Sequence, residues 1–200
     1  MIPAIGCTEP IAVALCVAKA TETLGAKPEK IKVLLSANIL KNAMGVGIPG
    51  TGMIGLPIAV ALGALIGKSD YQLEVLKDST PEAVEEGKKL IDEKRICISL
   101  KEDITEKLYI EVTCEAGGEQ ATAIISGGHT TFVYVAKGDE VLLNKQQTSG
   151  EEEKEETLEL TLRKVYDFAL TAPLDEIRFI LETAPVSYTH LRAHETDSYL

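Results

Sequence analysis

Apolar positions fall into three regimes along the chain. From Ile11 to Leu24, and again from Leu56 to Ile66, they are dense and dominated by small residues, with no lasting polar stripe. A helix that is apolar almost all round belongs in a core, so each run predicts a buried helix. Gly25 and Pro28 end the first, and Thr8 is its expected N-cap, with Glu9 and Pro10 in the first turn. In the second regime, Ile31–Leu35, Ile96–Leu100, Leu108–Glu115, Gln120–Ser126, Thr131–Ala136 and Glu140–Leu143 run β-branched or alternate, as half-buried strands do. Gly117-Gly118, Gly127-Gly128 and Gly138-Asp139 mark turns, so the strands from Ile96 onward predict an antiparallel meander. The third regime is amphipathic or polar. It holds a short helix over Tyr71–Lys77 and a surface helix from a Ser79-Thr80-Pro81-Glu82 capping box to about Arg95. A solvated linker follows over Thr148–Glu156, then helices over Leu158–Leu170 and Pro173–Glu182. The expected fold class is α+β: small-residue buried helices, a β-meander and C-terminal helices.

With aromatics at 4% and no Trp, the core must be built from Ala, Val, Ile and Leu, with Gly allowing close backbone approach. A net charge of −11 opposes a nucleic-acid or anionic-membrane partner, although much of the acid sits in the run Glu151–Glu156. The longest apolar stretch, Met53–Ile66, is shorter than the ~20 residues a bilayer requires. Four cysteines at positions 7, 16, 97 and 114 form no CxxC pair and follow no secretory signal pattern. They predict free thiols in a reducing cytoplasm.

Three places could carry chemistry. Cys7, in Gly6-Cys7-Thr8-Glu9-Pro10, precedes a helix whose free N–H groups and dipole favour a thiolate, the form needed by a nucleophile or a metal ligand. The alternative is an inert small residue beside a cap. Cys16, nine residues on, falls on the opposite side of the helix; Cys97 and Cys114 sit in strand runs, and all three read as structural. The stretch Ser36–Gly55 gathers Asn38, Lys41, Asn42, Thr51 and several glycines, a set suited to the carboxylate and ammonium of an α-amino acid, or else simply a tight loop. His129, in Gly127-Gly128-His129-Thr130-Thr131, is a pocket residue or a turn histidine. The glycine loop Gly45–Gly55 twice matches GxGxxG and so raises a nucleotide-binding module. Pro49 and the lack of alternating βαβ units speak against a dinucleotide site.

Taken together, GCTEPIAVAL, SANILKNAMGVGIPGTGMIGLPIAVALGAL, GGHTTFVYV and DEIRFILETA, spanning Ile5 to about Ala184, resemble the L-cysteine desulfidase family. That family shares its catalytic domain with the iron–sulfur L-serine dehydratase alpha chain. The resemblance implies a lyase that eliminates the β-substituent of L-cysteine or L-serine to give pyruvate, ammonia and sulfide or water. Its [4Fe–4S] cluster is held by three cysteines, of which Cys7 matches the first and the others belong to a C-terminal half not seen in this sequence. No pyridoxal phosphate is implied. Asn38, Lys41, Asn42, Thr51 and His129 become candidates for gripping the substrate, with Lys41 a base if buried. Thr131 departs from the family, which usually has Asn there.

These readings predict that residues 1–185 are the N-terminal part of the catalytic domain and that this fragment alone is inactive. Residues 186–200 resemble a translated sequencing adapter and are expected to be a non-native tail. The partner expected is a small amino acid, with a homo-oligomer allowed. A non-catalytic amino-acid sensor is the third functional alternative.

Overall fold

The computed structural model describes Ala4 and residues 6–145, 161–176 and 178. Residues 1–148 form one compact unit and 149–200 a second. Among the described residues the first holds nearly all the regular structure. Helix α1 (Thr8–Leu24) is followed by strand β1 (Lys30–Leu35), helix α2 (Ala37–Ala43) and a small hairpin of β2 (Gly47–Ile48) and β3 (Met53–Ile54). Helix α3 (Leu56–Leu65), a 3-10 turn (Ser69–Glu74) and helix α4 (Pro81–Asp92) lead to β4 (Ile96–Leu100). Strands β5 (Tyr109–Ala116), β6 (Glu119–Ser126), β7 (Phe132–Lys137) and β8 (Glu140–Asn144) complete it.

The sheet runs β4-β1-β5-β6-β7-β8. β5 to β8 form the expected antiparallel meander. Ile96–Leu100 does not join it; β4 pairs parallel with β1 at the sheet edge, and β1 separates it from β5. The long excursion from β1 through α2, α3 and α4 is a crossover, which returns a strand parallel to the one it left. Sequence alternation reveals a strand but not its neighbour, which is why the meander was drawn one strand too long.

The sheet has one greasy face. In β1 and β5 every second residue, from Ile31 to Leu35 and Ile110 to Cys114, is buried, and the residues between point outward. α1 lies on the buried face over β5 and β6, and α3 packs against α1. Both helices are apolar all round because both are covered: Ile11 to Ala18 of α1 and Ile58 to Leu62 of α3 are essentially inaccessible. Their approach depends on Gly63, where a Cβ would lie 2.6 Å from the Ala14 carbonyl oxygen. Only α4 is amphipathic in this layer, burying Ala83, Val84, Gly87 and Leu90. Among the described residues no helix is long and apolar enough to cross a membrane.

Local details depart from the sequence reading at several caps. α1 starts at Thr8 with Cys7 as its N-cap, so Thr8 is the first helical residue rather than the cap. The capping box does not close as drawn: Thr80 accepts from the Ala83 N–H at 3.3 Å, while the Ser79 hydroxyl is buried without a partner. Tyr71–Lys77 is replaced by the 3-10 turn, kinked at Gln72 and held to α1 by Glu22, which accepts from the Ser69 N–H and hydroxyl.

In the second unit, α5 (Leu162–Thr171) is capped by Thr161 and buries none of its residues. The predicted linker, half of the second C-terminal helix and the adapter-like tail lie outside the described residues.

Candidate functional site

One end of the sheet collects the sequence motifs. Cys16 of α1 donates its thiol proton to the carbonyls of Ala123 and, more weakly, Ile110, and Thr21 meets Cys114. The helix therefore starts beyond the end of the sheet where β5 begins and β6 finishes. α2 starts at the same end, because Ser36 follows β1 there: its hydroxyl donates to the Lys107 carbonyl at 2.8 Å and accepts from the Tyr109 N–H at 3.3 Å. The turn that carries His129 is there too, with the Gly127 N–H bonded to the Leu108 carbonyl.

At this end GCTEP and the Ser36–Gly55 stretch touch. Glu9 is the joint. Its Oε2 accepts from the Cys7 thiol at 3.0 Å and the Thr8 hydroxyl at 3.2 Å, and its Oε1 accepts from Asn42 Nδ2 of α2 at 3.4 Å. Gly6, at φ +83°, packs where a Cβ would stand 2.9 Å from the Pro49 ring, so this backbone conformation and this closeness both call for glycine. Cys7 is partly buried and free. Glu9 was not singled out from the sequence; the signal that could have found it is its place two residues after a candidate ligand.

The electrostatics correct one expectation. A helix start favours a thiolate, yet here partial burial and then the Glu9 carboxylate push the Cys7 thiol above its ordinary range. The reciprocal effect holds Glu9 below the usual carboxylate value, chiefly through the bond from Cys7. Cys7 in this state is a protonated thiol donating to an anion, and binding a metal would require it to lose that proton.

Ser36–Gly55 is not one loop. It contains α2, whose exposed face carries Asn38, Lys41 and Asn42, and the β2–β3 hairpin. Asn38 and Asn42 are one helical turn apart, and Asn38 lines an open cleft of about 540 Å³ with Ser36, Lys101, Asp103, Glu106 and Lys107. Lys41 is exposed, so the burial on which a lysine base depends is absent; its charge remains available to an anion. Thr51 is a turn builder. Its hydroxyl donates to the Ile48 carbonyl at 2.7 Å and accepts from the Met53 N–H at 3.0 Å, bracing a Pro49-Gly50 turn with Gly50 at φ +75°. His129 is partly buried in its turn at the same end of the sheet.

The glycine pattern also finds a packing explanation. Gly55 approaches the Met44 carbonyl so closely that a Cβ would lie 2.8 Å from it, and the residues before α3 form an antiparallel hairpin rather than the strand of a βαβ unit.

Among the described residues no three His, Cys, Asp or Glu side chains gather around a metal position. Cys16 and Cys114 are in the core, the latter pushed by burial to about 11, and neither can turn toward Cys7. Cys97, read from sequence as a structural thiol in an apolar run, is exposed on β4, because its register partner is the exposed Lys32 and both lie on the open face of the sheet. Three thiolates for an iron–sulfur cluster are therefore not gathered among the described residues, where Cys7 is a partly buried free thiol.

No family model matches the sequence. The chain is 99% identical over 184 residues to a UPF0597 protein of Bacteroides fragilis, covering 92% of this chain and 43% of that protein. It is 80% identical over 184 residues to a UPF0597 protein of Bacteroides thetaiotaomicron, with the same coverage. It is 48% identical over 190 residues to one of Porphyromonas gingivalis, covering 92% and 44%. The chain thus spans a little under half the length of these curated relatives.

Proposed function

We propose that this chain is the front part of a longer [4Fe–4S] lyase that eliminates the β-substituent of L-cysteine or L-serine. The observation that carries the reading is the meeting of two motifs distant in sequence: Glu9, beside Cys7, bonds to Asn42 at 3.4 Å, which sets a partly exposed thiol against the polar face of α2. In a cysteine-held cluster with one open iron, the metal would supply a Lewis acid for the leaving group. Cys7 would give one thiolate. Lys41 and Asn38, on the exposed face of α2, would hold the substrate carboxylate, and Thr51 would fix the hairpin beside them. His129, at the same end of the sheet, is a weaker pocket residue. Loss of the α-proton and the β-substituent leaves an aminoacrylate, which hydrolyses to pyruvate and ammonia. The remaining ligands and the base for the α-proton would come from the part of the longer protein that this chain does not span.

The test uses the full-length protein, purified and reconstituted with iron and sulfide without oxygen. Bound iron with a broad visible absorption, its loss in Cys7→Ser, and pyruvate release from L-cysteine or L-serine are expected. A reconstituted full-length protein that binds no iron sinks the proposal. Tight NAD or ATP binding without iron would favour the nucleotide module instead, and stabilisation by cysteine without turnover the sensor.

A further inference from the structure

We infer that Glu9 and Asn42 form the ammonium-binding pole of the site, so that its ligand must be an α-amino acid with a free amine. The inference rests on the amino-acid reading above and goes further by assigning the amine to named atoms, one of them on a residue with no role there. A zwitterion needs an anion for its ammonium, and the polar residues of α2 offer none: Asn38 and Asn42 are neutral and Lys41 is a cation. Glu9 supplies that charge from α1, in contact with α2.

The two carboxylate oxygens are unequally occupied. Oε2 accepts two bonds, from Cys7 and Thr8. Oε1 accepts one, at 3.4 Å, longer than a well-made N–H···O bond and so easily exchanged for a better donor. A carboxylate anion can only accept, so the Asn42 amide must turn its NH2 group toward Glu9, which fixes the orientation of its Oδ1 as an acceptor. Glu9 Oε1 and Asn42 Oδ1 then belong to neighbouring groups whose acceptors suit an ammonium with three N–H donors. Lys41, the residue before Asn42 on α2, suits the carboxylate at the other end of the same ligand. Charge-assisted bonds of this kind discriminate strongly, because a ligand lacking the amine leaves the carboxylate unpaired.

The experiment is calorimetric binding of L-serine and of 3-hydroxypropanoate, its analogue without the amine, to the full-length protein, its Glu9→Gln variant and an Asn42→Ala variant. Wild type should bind L-serine at least about tenfold more tightly than the analogue. Glu9→Gln, equal in size, should lose about that factor for L-serine and leave the analogue unchanged; Asn42→Ala should show a smaller loss in the same direction. Equal losses for both ligands would make Glu9 a structural residue and overturn the inference, as would no loss at all or a wild type that binds no amino acid. Iron content, measured on the same samples, separates this outcome from failure of the lyase reading: amine discrimination without iron keeps the pole and removes the cluster.

Discussion

The first turn of α1 and its middle are one continuous helix under opposite physics. In the middle, Leu15 and Cys16 are wholly inaccessible, pressed between the sheet and α3, and the Cys16 thiol has only backbone carbonyls to meet. In the first turn, Cys7 and Glu9 are partly exposed, and their partners are side chains from the same turn and from α2. The middle can be altered only at the cost of stability. The first turn is held by replaceable polar bonds, and that is what allows it to exchange partners with a ligand.

Thiol labelling should break or sharpen this contrast most widely. In the native protein Cys97 and Cys7 should react with a maleimide, whereas Cys16 and Cys114 should wait for the core to open. At a stability of about 5 kcal/mol that slows them on the order of a thousandfold. Equal rates for Cys7 and Cys16, read by peptide mass spectrometry, would erase the distinction. Next in size, Leu15→Ala should cost about 3 kcal/mol in urea unfolding, the usual loss for a buried leucine. Gly63→Ala should cost about 2 kcal/mol, because its methyl must force Ala14 and α3 apart. Helix starts give a smaller comparison. Thr80→Ala removes a bonded cap and should cost about 1 kcal/mol, while Thr8→Ala, which removes a hydroxyl bond to Glu9, should stay within about 0.5 kcal/mol.

The smallest effect is chemical. Burial and Glu9 both favour the protonated thiol of Cys7, so its alkylation should rise with pH later than that of a free cysteine. Removing the carboxylate in Glu9→Gln weakens one of those two causes. The thiolate fraction at a fixed pH near 8 should therefore increase, and iodoacetamide should react a few times faster (roughly the effect of a fraction of a pKa unit). A slower reaction in that variant would show that Glu9 does not hold the proton on Cys7.

Much of this molecule was legible before folding. Two helices apolar on every side can only be buried, and the alternating runs from Leu108 to Ala136 can only be half-buried strands, because water contact is set residue by residue; Glu140–Leu143 also forms a strand but stays largely exposed. Cys16, read as structural within an apolar helix, is indeed buried. The sequence did not reveal that β4 belongs beside β1, that Cys97 thereby shares the open face of the sheet with Lys32, or that Ser36–Gly55 folds into a helix and a hairpin. Strand partnership, edge position and the meeting of Glu9 with Asn42 across 33 residues depend on where the crossover returns and on which surfaces close together. Local composition determines whether a residue seeks water or oil; only the closed tertiary structure decides how far it is covered, and here partial burial, more than the Glu9 carboxylate two residues on, turns a helix start expected to ionise a thiol into one that holds its proton.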